Sequence, residues 1–137
     1  MRKVKRKEAG FNMFKNISYV LIWSSDYKKL ADWYKDKLGL KVIEEFNHPD
    51  DSGVSFEFTS GGSRLWIGQH SKVKGKNNDF HRHMINIDVD SVSHVYEYLK
   101  NRGVEFLAVP YKEPVADTYC ATFYDLDRNL LQIVGPK

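Results

Sequence analysis

The sequence predicts an α+β protein made of two β-α-β-β-β modules that form a curved mixed sheet around a cleft, with the helices outside. Three observations carry this. A strand, a capped amphipathic helix and a glycine stop occupy Ile17 to Leu40, and the same unit is written again between Met84 and Gly103. Each unit is followed by short strand-like segments separated by turn formers. Counting from Asp26, apolar residues fall at Tyr27, Leu30, Ala31 and Tyr34; counting from Ser91, they fall at the same offsets, at Val92, Val95, Tyr96 and Leu99. Those offsets share one helical face, Asp and Ser accept hydrogen bonds from free N–H groups at the start, and Gly39 and Gly103 tolerate the left-handed stop. Internal repetition at this scale defines the fold before any motif is considered.

In chain order, residues 17 to 23 alternate as a strand, with Val20 and Ile22 on one face and Tyr19, Leu21 and Trp23 on the other. Small aliphatic side chains pack under a helix better than large aromatics, so Val20 and Ile22 are assigned to the helix from Tyr27 to Leu38. A short strand, Leu40 to Phe46, is expected next, then a polar loop from Asn47 to Gly53. Val54 to Thr59 and Arg64 to His70 read as a hairpin around Ser60-Gly-Gly-Ser63. Residues 71 to 80 are polar and form the connector between a first module, 14 to 70, and a second, 81 to 137. The second repeats the order: strand Met84 to Val89, helix Val92 to Arg102, short strand Val104 to Leu107, a loop with Pro110 and Pro114, strand Tyr119 to Tyr124, turn Asp125 to Arg128, strand Asn129 to Val134.

The chain has 137 residues, 42% of them hydrophobic, and a formal charge of +3. That length supplies one domain, or two small halves sharing a core. Much of the charge sits in the first seven residues, MRKVKRK, with no apolar stretch behind them, which reads as a flexible basic tail over residues 1 to 13 and not as a secretory signal. No basic stripe interleaved with aromatics implies nucleic acid, and no apolar run approaches the ~20 residues that span a bilayer. The single cysteine, Cys120, excludes an internal disulfide framework and fits a reducing cytoplasm.

Aligning the two units on their helix caps pairs Tyr19 with Met84, Leu21 with Asn86 and Trp23 with Asp88. A face bearing an amide, a carboxylate, Tyr and Trp makes a poor dry core and a good cavity wall. The candidate binding site is therefore Tyr19, Trp23, Arg64, Trp66, Met84, Asn86, Asp88 and Gln132, Arg64 sharing the parity of Trp66. Two Trp and a Tyr offer flat faces for stacking or cation–π contact, and Arg64, Asn86, Asp88 and Gln132 can fix an orientation. The bland account is a collapsed cavity filled by the aromatics. Glu57 is a further carboxylate for the cleft, although Phe56 and Phe58 compete for the inner side. Asp125 and Asp127 read as Asx-turn caps, and Cys120, with no His beside it, as a buried or edge thiol.

Two β-α-β-β-β modules, together with SSDYKKLADWYKDKLGL and FYDLDRNLLQIV, resemble the vicinal oxygen chelate superfamily, which includes glyoxalase I, extradiol dioxygenases and the bleomycin-resistance proteins. The similarity runs over residues 14 to 136. The second stretch is similar to the family's F-x-D-P-D-G-N-x-x-E, with Leu126 in place of the common proline and Arg128 in place of the common glycine. In metal-dependent members four side chains, usually His or Gln, Glu, His and Glu, converge on one divalent ion. The resemblance puts those positions on Tyr19, Trp66, Met84 and Gln132, of which Gln132 alone is a plausible ligand.

The resemblance therefore implies a metal-independent binder of a small aromatic or cationic molecule, with no cofactor, in the manner of the drug-sequestering members, and by analogy a homodimer. Bleomycin itself is cationic, and a slightly basic chain does not steer it. Two alternatives stay open. One is a glyoxalase- or dioxygenase-type metalloenzyme with displaced ligands, His70 with Gln132 or His81 with His83. The other is a metal-free lyase or isomerase using Asp88 or Glu57 as base.

Overall fold

The computed structural model describes residues 13–137; the basic run at the start of the chain lies outside them. The elements are β1 (Tyr19–Ser24), α1 (Tyr27–Trp33) continued by one π-helical segment (Tyr34–Leu38), β2 (Lys41–His48), β3 (Asp51–Glu57) and β4 (Arg64–Gln69), then β5 (Met84–Asp88), α2 (Val92–Asn101), β6 (Phe106–Lys112), β7 (Tyr119–Tyr124) and β8 (Leu130–Gly135). The strands form two four-stranded mixed sheets, ordered β1-β4-β3-β2 and β5-β8-β7-β6. In each the first strand runs parallel to the last, and the other pairs are antiparallel. The duplication inferred from the helix offsets is thus a duplication of sheet topology.

Local chemistry sets the helices as the sequence predicts. The Asp26 carboxylate accepts from the Lys29 N–H at 3.3 Å, and the Ser91 hydroxyl accepts from the His94 N–H at 3.2 Å. Gly39 and Gly103 stop the chain at φ 67° and 83°. One difference lies inside the first helix, which widens into π geometry from Tyr34 to Leu38 instead of continuing as α. At that widening Tyr34 is fully buried and its hydroxyl donates to Asp125 of the second module at 2.6 Å.

Two segments expected as loops are strand. Asn47 to Gly53 is a tight hairpin: β2 continues to His48, β3 starts at Asp51, and His48 pairs with Asp51. The His48 imidazole accepts from the Asp50 N–H at 3.1 Å and the Ser52 hydroxyl donates to the His48 carbonyl at 2.7 Å, so side chains close the turn that Pro49 begins. β6 likewise runs on through Pro110 to Lys112. It is an edge strand with register shifts on both sides of Ala108, where a residue lacking an N–H is tolerated.

The core lies between the sheets and the helices. Leu30, Ala31 and Tyr34 meet Val54, Phe56, Leu65 and Ile67, and Val92 and Leu99 meet Ala121, Phe123, Leu131 and Ile133. Val20 and Ile22 pack against this core, as their parity requires. Each fully buried Leu or Ile here contributes about 1.5–3 kcal/mol of transfer free energy. The modules are tied by the last hairpin turn: Ser24 donates to Asp127 at 2.8 Å, the Asn77 N–H to the Asp127 carbonyl at 2.7 Å, and the Lys76 ammonium to the Leu126 carbonyl at 2.6 Å. Among the described residues no helix is long and apolar enough to cross a membrane.

Candidate functional site

With the helices on one side, each sheet presents its other face to the outside. Register assigns the faces. On the first sheet Tyr19 pairs with Arg64, Leu21 with Trp66 and Trp23 with Gly68, while Ser55 pairs with Trp66 and Gly53 with Gly68. On β2, Glu44 and Phe46 lie opposite Ser55 and Gly53. The open face is therefore built from Tyr19, Leu21, Trp23, Arg64, Trp66, Ser55, Glu44 and Phe46. Glu57 joins it, because Val54 and Phe56 occupy the core side; its carboxylate is paired with Lys41 at 3.4 Å.

Trp66 is the centre of this face. It is 8% exposed, yet it lies on the side away from the helices. It lies flat because Gly53 and Gly68 have no side chains: a Cβ at either position would overlap the Trp66 indole, and one at Gly68 would also press on Trp23, 2.7 Å from its ring. Phe46 flanks Trp66 with ring centroids 5.7 Å apart. Trp23, 38% exposed, packs edge-on against His70 at 5.4 Å. The Trp66 Nε1–H is buried with no hydrogen-bond partner. Sequence parity placed Trp66 here but missed Phe46, Ser55 and the two glycines; a glycine inside a strand pattern, as in Trp66-Ile-Gly-Gln69, was the available signal of a close approach.

Tyr19, 37% exposed, is held by its hydroxyl, 3.1 Å from the Ser55 hydroxyl. The Ser55 contact and the neighbouring Arg64 guanidinium lower the phenol's pKa from its ordinary value, against a weaker opposing effect of burial and of Glu44.

The second sheet carries the other four expected residues on its open face. Met84 pairs with Leu130, Asn86 with Gln132 and Asp88 with Val134. Met84, Asn86 and Asp88 are exposed. Gln132 is 8% exposed, donating to the Thr122 hydroxyl at 3.3 Å with the Tyr111 hydroxyl beside it. Burial, then Cys120 and Glu113, raise the Tyr111 pKa, and burial raises that of Cys120, which leaves a protonated, inert thiol. The eight expected residues thus fall four to each sheet, three aromatics with Arg64 on the first and three polar residues with Met84 on the second, and among the described residues no strand pair joins the sheets. Two cavities, of about 220 and 200 Å³, lie away from the centre of both faces. One is at the module seam, between Trp23, Val73 to Asn77, Asp127 and Asn129; the other is between α1 and β2–β3.

The metal implied by the resemblance does not fit these residues. Tyr19 brings a phenol hydrogen-bonded to Ser55, Trp66 only a buried N–H and Met84 a thioether, which leaves the Gln132 amide oxygen as the one ordinary ligand, too few to hold an ion. Among the described residues no three His, Cys, Asp or Glu side chains gather as a metal site. His70 accepts from the Lys72 N–H at 3.1 Å, and His81 stacks on Phe80 with centroids 4.6 Å apart.

A duplicated βαβββ chain with two open sheet faces is the architecture these elements define. A sequence profile of the Glyoxalase/Bleomycin resistance protein/Dioxygenase superfamily matches residues 16–133, and the chain belongs to that superfamily. It is 26% identical over 114 residues to the uncharacterized protein YraH of Bacillus subtilis, covering 80% of this chain and 89% of that one. Solved structures of a superfamily member from Sphaerobacter thermophilus and a glyoxalase family protein from Enterococcus faecalis superpose with TM-scores of 0.74 and 0.73. They are 20% and 21% identical and cover 90% of this chain, and 98% and 99% of their own, a likeness of fold.

Proposed function

We propose that this protein binds a small planar aromatic molecule on the open face of its first sheet, without a metal. The observation that carries the reading is the Trp66 indole laid on Gly53 and Gly68 and flanked by Phe46 and Trp23. A flat, rigid surface of this kind stacks a ring at little entropic cost. Neutral 2-naphthol is a suitable probe, followed through the three indole N–H signals by ¹H–¹⁵N NMR. The Trp66 and Trp23 signals should move, and that of Trp33, which packs on Tyr34 in α1, should stay. Unmoved Trp66 and Trp23 signals at millimolar probe would remove the proposal.

A binding site covers most of its ligand's surface, and one open face cannot. Leu21, between Tyr19 and Trp23 along the first sheet's face, is 51% exposed, and Met84 on the second sheet is 47% exposed. Apolar area of this extent favours association with a second copy, which would roof the face. Light scattering should then give a dimer that Leu21→Glu weakens; a monomer at 50-fold range of concentration would exclude it. The buried thiol of Cys120 suits a reducing compartment, and we place the protein in the cytoplasm.

A further inference from the structure

The charge on the open face has a specific arrangement. Arg64 is exposed on β4, register partner of Tyr19 and two residues from Trp66 on the same strand. Its guanidinium lies beside the Tyr19 hydroxyl and makes no ion pair among the described residues. The carboxylates that share the first sheet's face do not take it up. Glu57, next after the Phe56–Leu65 pair and so across from Arg64, is paired instead with Lys41 at 3.4 Å, and Glu44 lies on β2, beyond Ser55. Asp88 stands on the other sheet. An unpaired guanidinium is a planar fork of donors that matches a carboxylate in two parallel hydrogen bonds, and a phenol hydroxyl beside it adds a third donor.

We infer that the ligand of this face is an aromatic molecule bearing a carboxylate, the carboxylate received by Arg64 and the Tyr19 hydroxyl and the ring by Trp66. This rests on the reading that the face stacks a planar ligand, and it adds the sign of the ligand's charge. Two residues along a strand span about 6.7 Å, so charge and ring meet their partners at once only in a ligand longer than a single ring, such as a fused bicycle or an arylalkanoate. Ser55 and Tyr19 are hydroxyl rotors within one hydrogen bond, so when Ser55 donates to Tyr19 the phenol proton is free to point at the ligand. A cationic ligand would instead meet the Arg64 charge, and the carboxylate on the neighbouring strand, Glu57, is already paired with Lys41.

The test titrates 2-naphthoate and 2-naphthylmethylammonium separately into the protein at low salt, with the Trp66 and Trp23 indole signals as readout. The naphthoate should bind at least tenfold more tightly than the ammonium probe. Arg64→Gln should remove that preference, Arg64→Lys should recover only part of it, and Tyr19→Phe should weaken naphthoate several-fold, more than it weakens neutral 2-naphthol. Arg64 is exposed, so its two variants should keep the wild-type melting temperature. Equal affinities for the two charged probes, a preference for the ammonium, or an Arg64→Gln protein that still selects naphthoate overturns the inference while the stacking platform stands. Failure of all three probes to move Trp66 overturns the platform and the inference together.

Discussion

The hydroxyl of Tyr34 and the carboxylate of Asp125 meet at 2.6 Å, 91 residues apart in sequence, and join the first helix to the last hairpin. Both groups are buried. Asp125 is fully engaged: one carboxylate oxygen accepts from the Asp127 and Asn129 N–H groups at 2.8 and 2.9 Å, and the other accepts from Tyr34 and the Asn129 amide. Tyr34→Phe leaves the carboxylate three of its four donors and removes one charge-assisted hydrogen bond, at a cost of about 2 kcal/mol. Urea unfolding at pH 7 should show that loss with an unchanged m-value.

The same pair predicts an alkaline limit. Burial, followed by the Asp125 charge and hydrogen bond, raises the Tyr34 pKa well above its ordinary value. The folded state therefore holds a proton that the unfolded chain releases near pH 10. The stabilisation is complete below that pH and is lost progressively above it. Between pH 9 and 11 the wild type should lose urea stability faster than Tyr34→Phe; parallel curves would refute the linkage. Asp125 does not add an acid limit, because burial raises its pKa as well, and its protonation is favoured in the fold as pH falls.

Arg128 stands where the superfamily commonly has glycine, and the backbone there explains the habit: its φ is 69°, the one positive value among the described non-glycine residues. The left-handed conformation costs a non-glycine residue about 1 kcal/mol. The side chain offsets this by laying its guanidinium 3.7 Å from the centre of the Tyr124 ring and pairing with Glu105 at 2.9 Å. Arg128→Ala keeps the strain and loses the contacts, and should destabilise by about 1–2 kcal/mol. Arg128→Gly loses the same contacts and relieves the strain, so it should be more stable than Arg128→Ala by about 1 kcal/mol. Thermal midpoints of the two variants decide the matter.

Legibility in the sequence followed the range of the interaction. The caps at Asp26 and Ser91, the stops at Gly39 and Gly103, and the opposed faces of β1 were readable because each depends on residues within one turn or one strand. The His48–Asp51 hairpin was hidden by polar residues on an exposed edge strand, and the length of β6 by Pro110. Partners set by tertiary register were beyond reach: Tyr34 with Asp125, Ser55 with Tyr19, and the facing of Glu57, which only the pairing of β3 with its neighbours decides. The eight expected site residues did fall on the open faces, four to each sheet, because parity along a strand survives whatever the strand pairs with.

Gly68 offers the sharpest test of the aromatic face. Its backbone is not left-handed, so alanine carries no conformational penalty there and, through the unfolded chain, would ordinarily stabilise by about 0.4–1 kcal/mol. The added methyl, however, overlaps the Trp66 indole nitrogen and presses on the Trp23 ring. Trp66 cannot retreat toward the sheet, since Gly53 bears its other edge and the Ile67 carbonyl lies 2.7 Å from where a Gly53 Cβ would stand. Gly68→Ala should therefore lower stability by about 1–3 kcal/mol, shift the Trp66 and Trp23 indole signals and weaken 2-naphthol binding, leaving Trp33 unchanged. A Gly68→Ala protein with a raised melting temperature and wild-type indole signals would mean that Trp66 does not rest on Gly68, and the stacking platform would lose its floor.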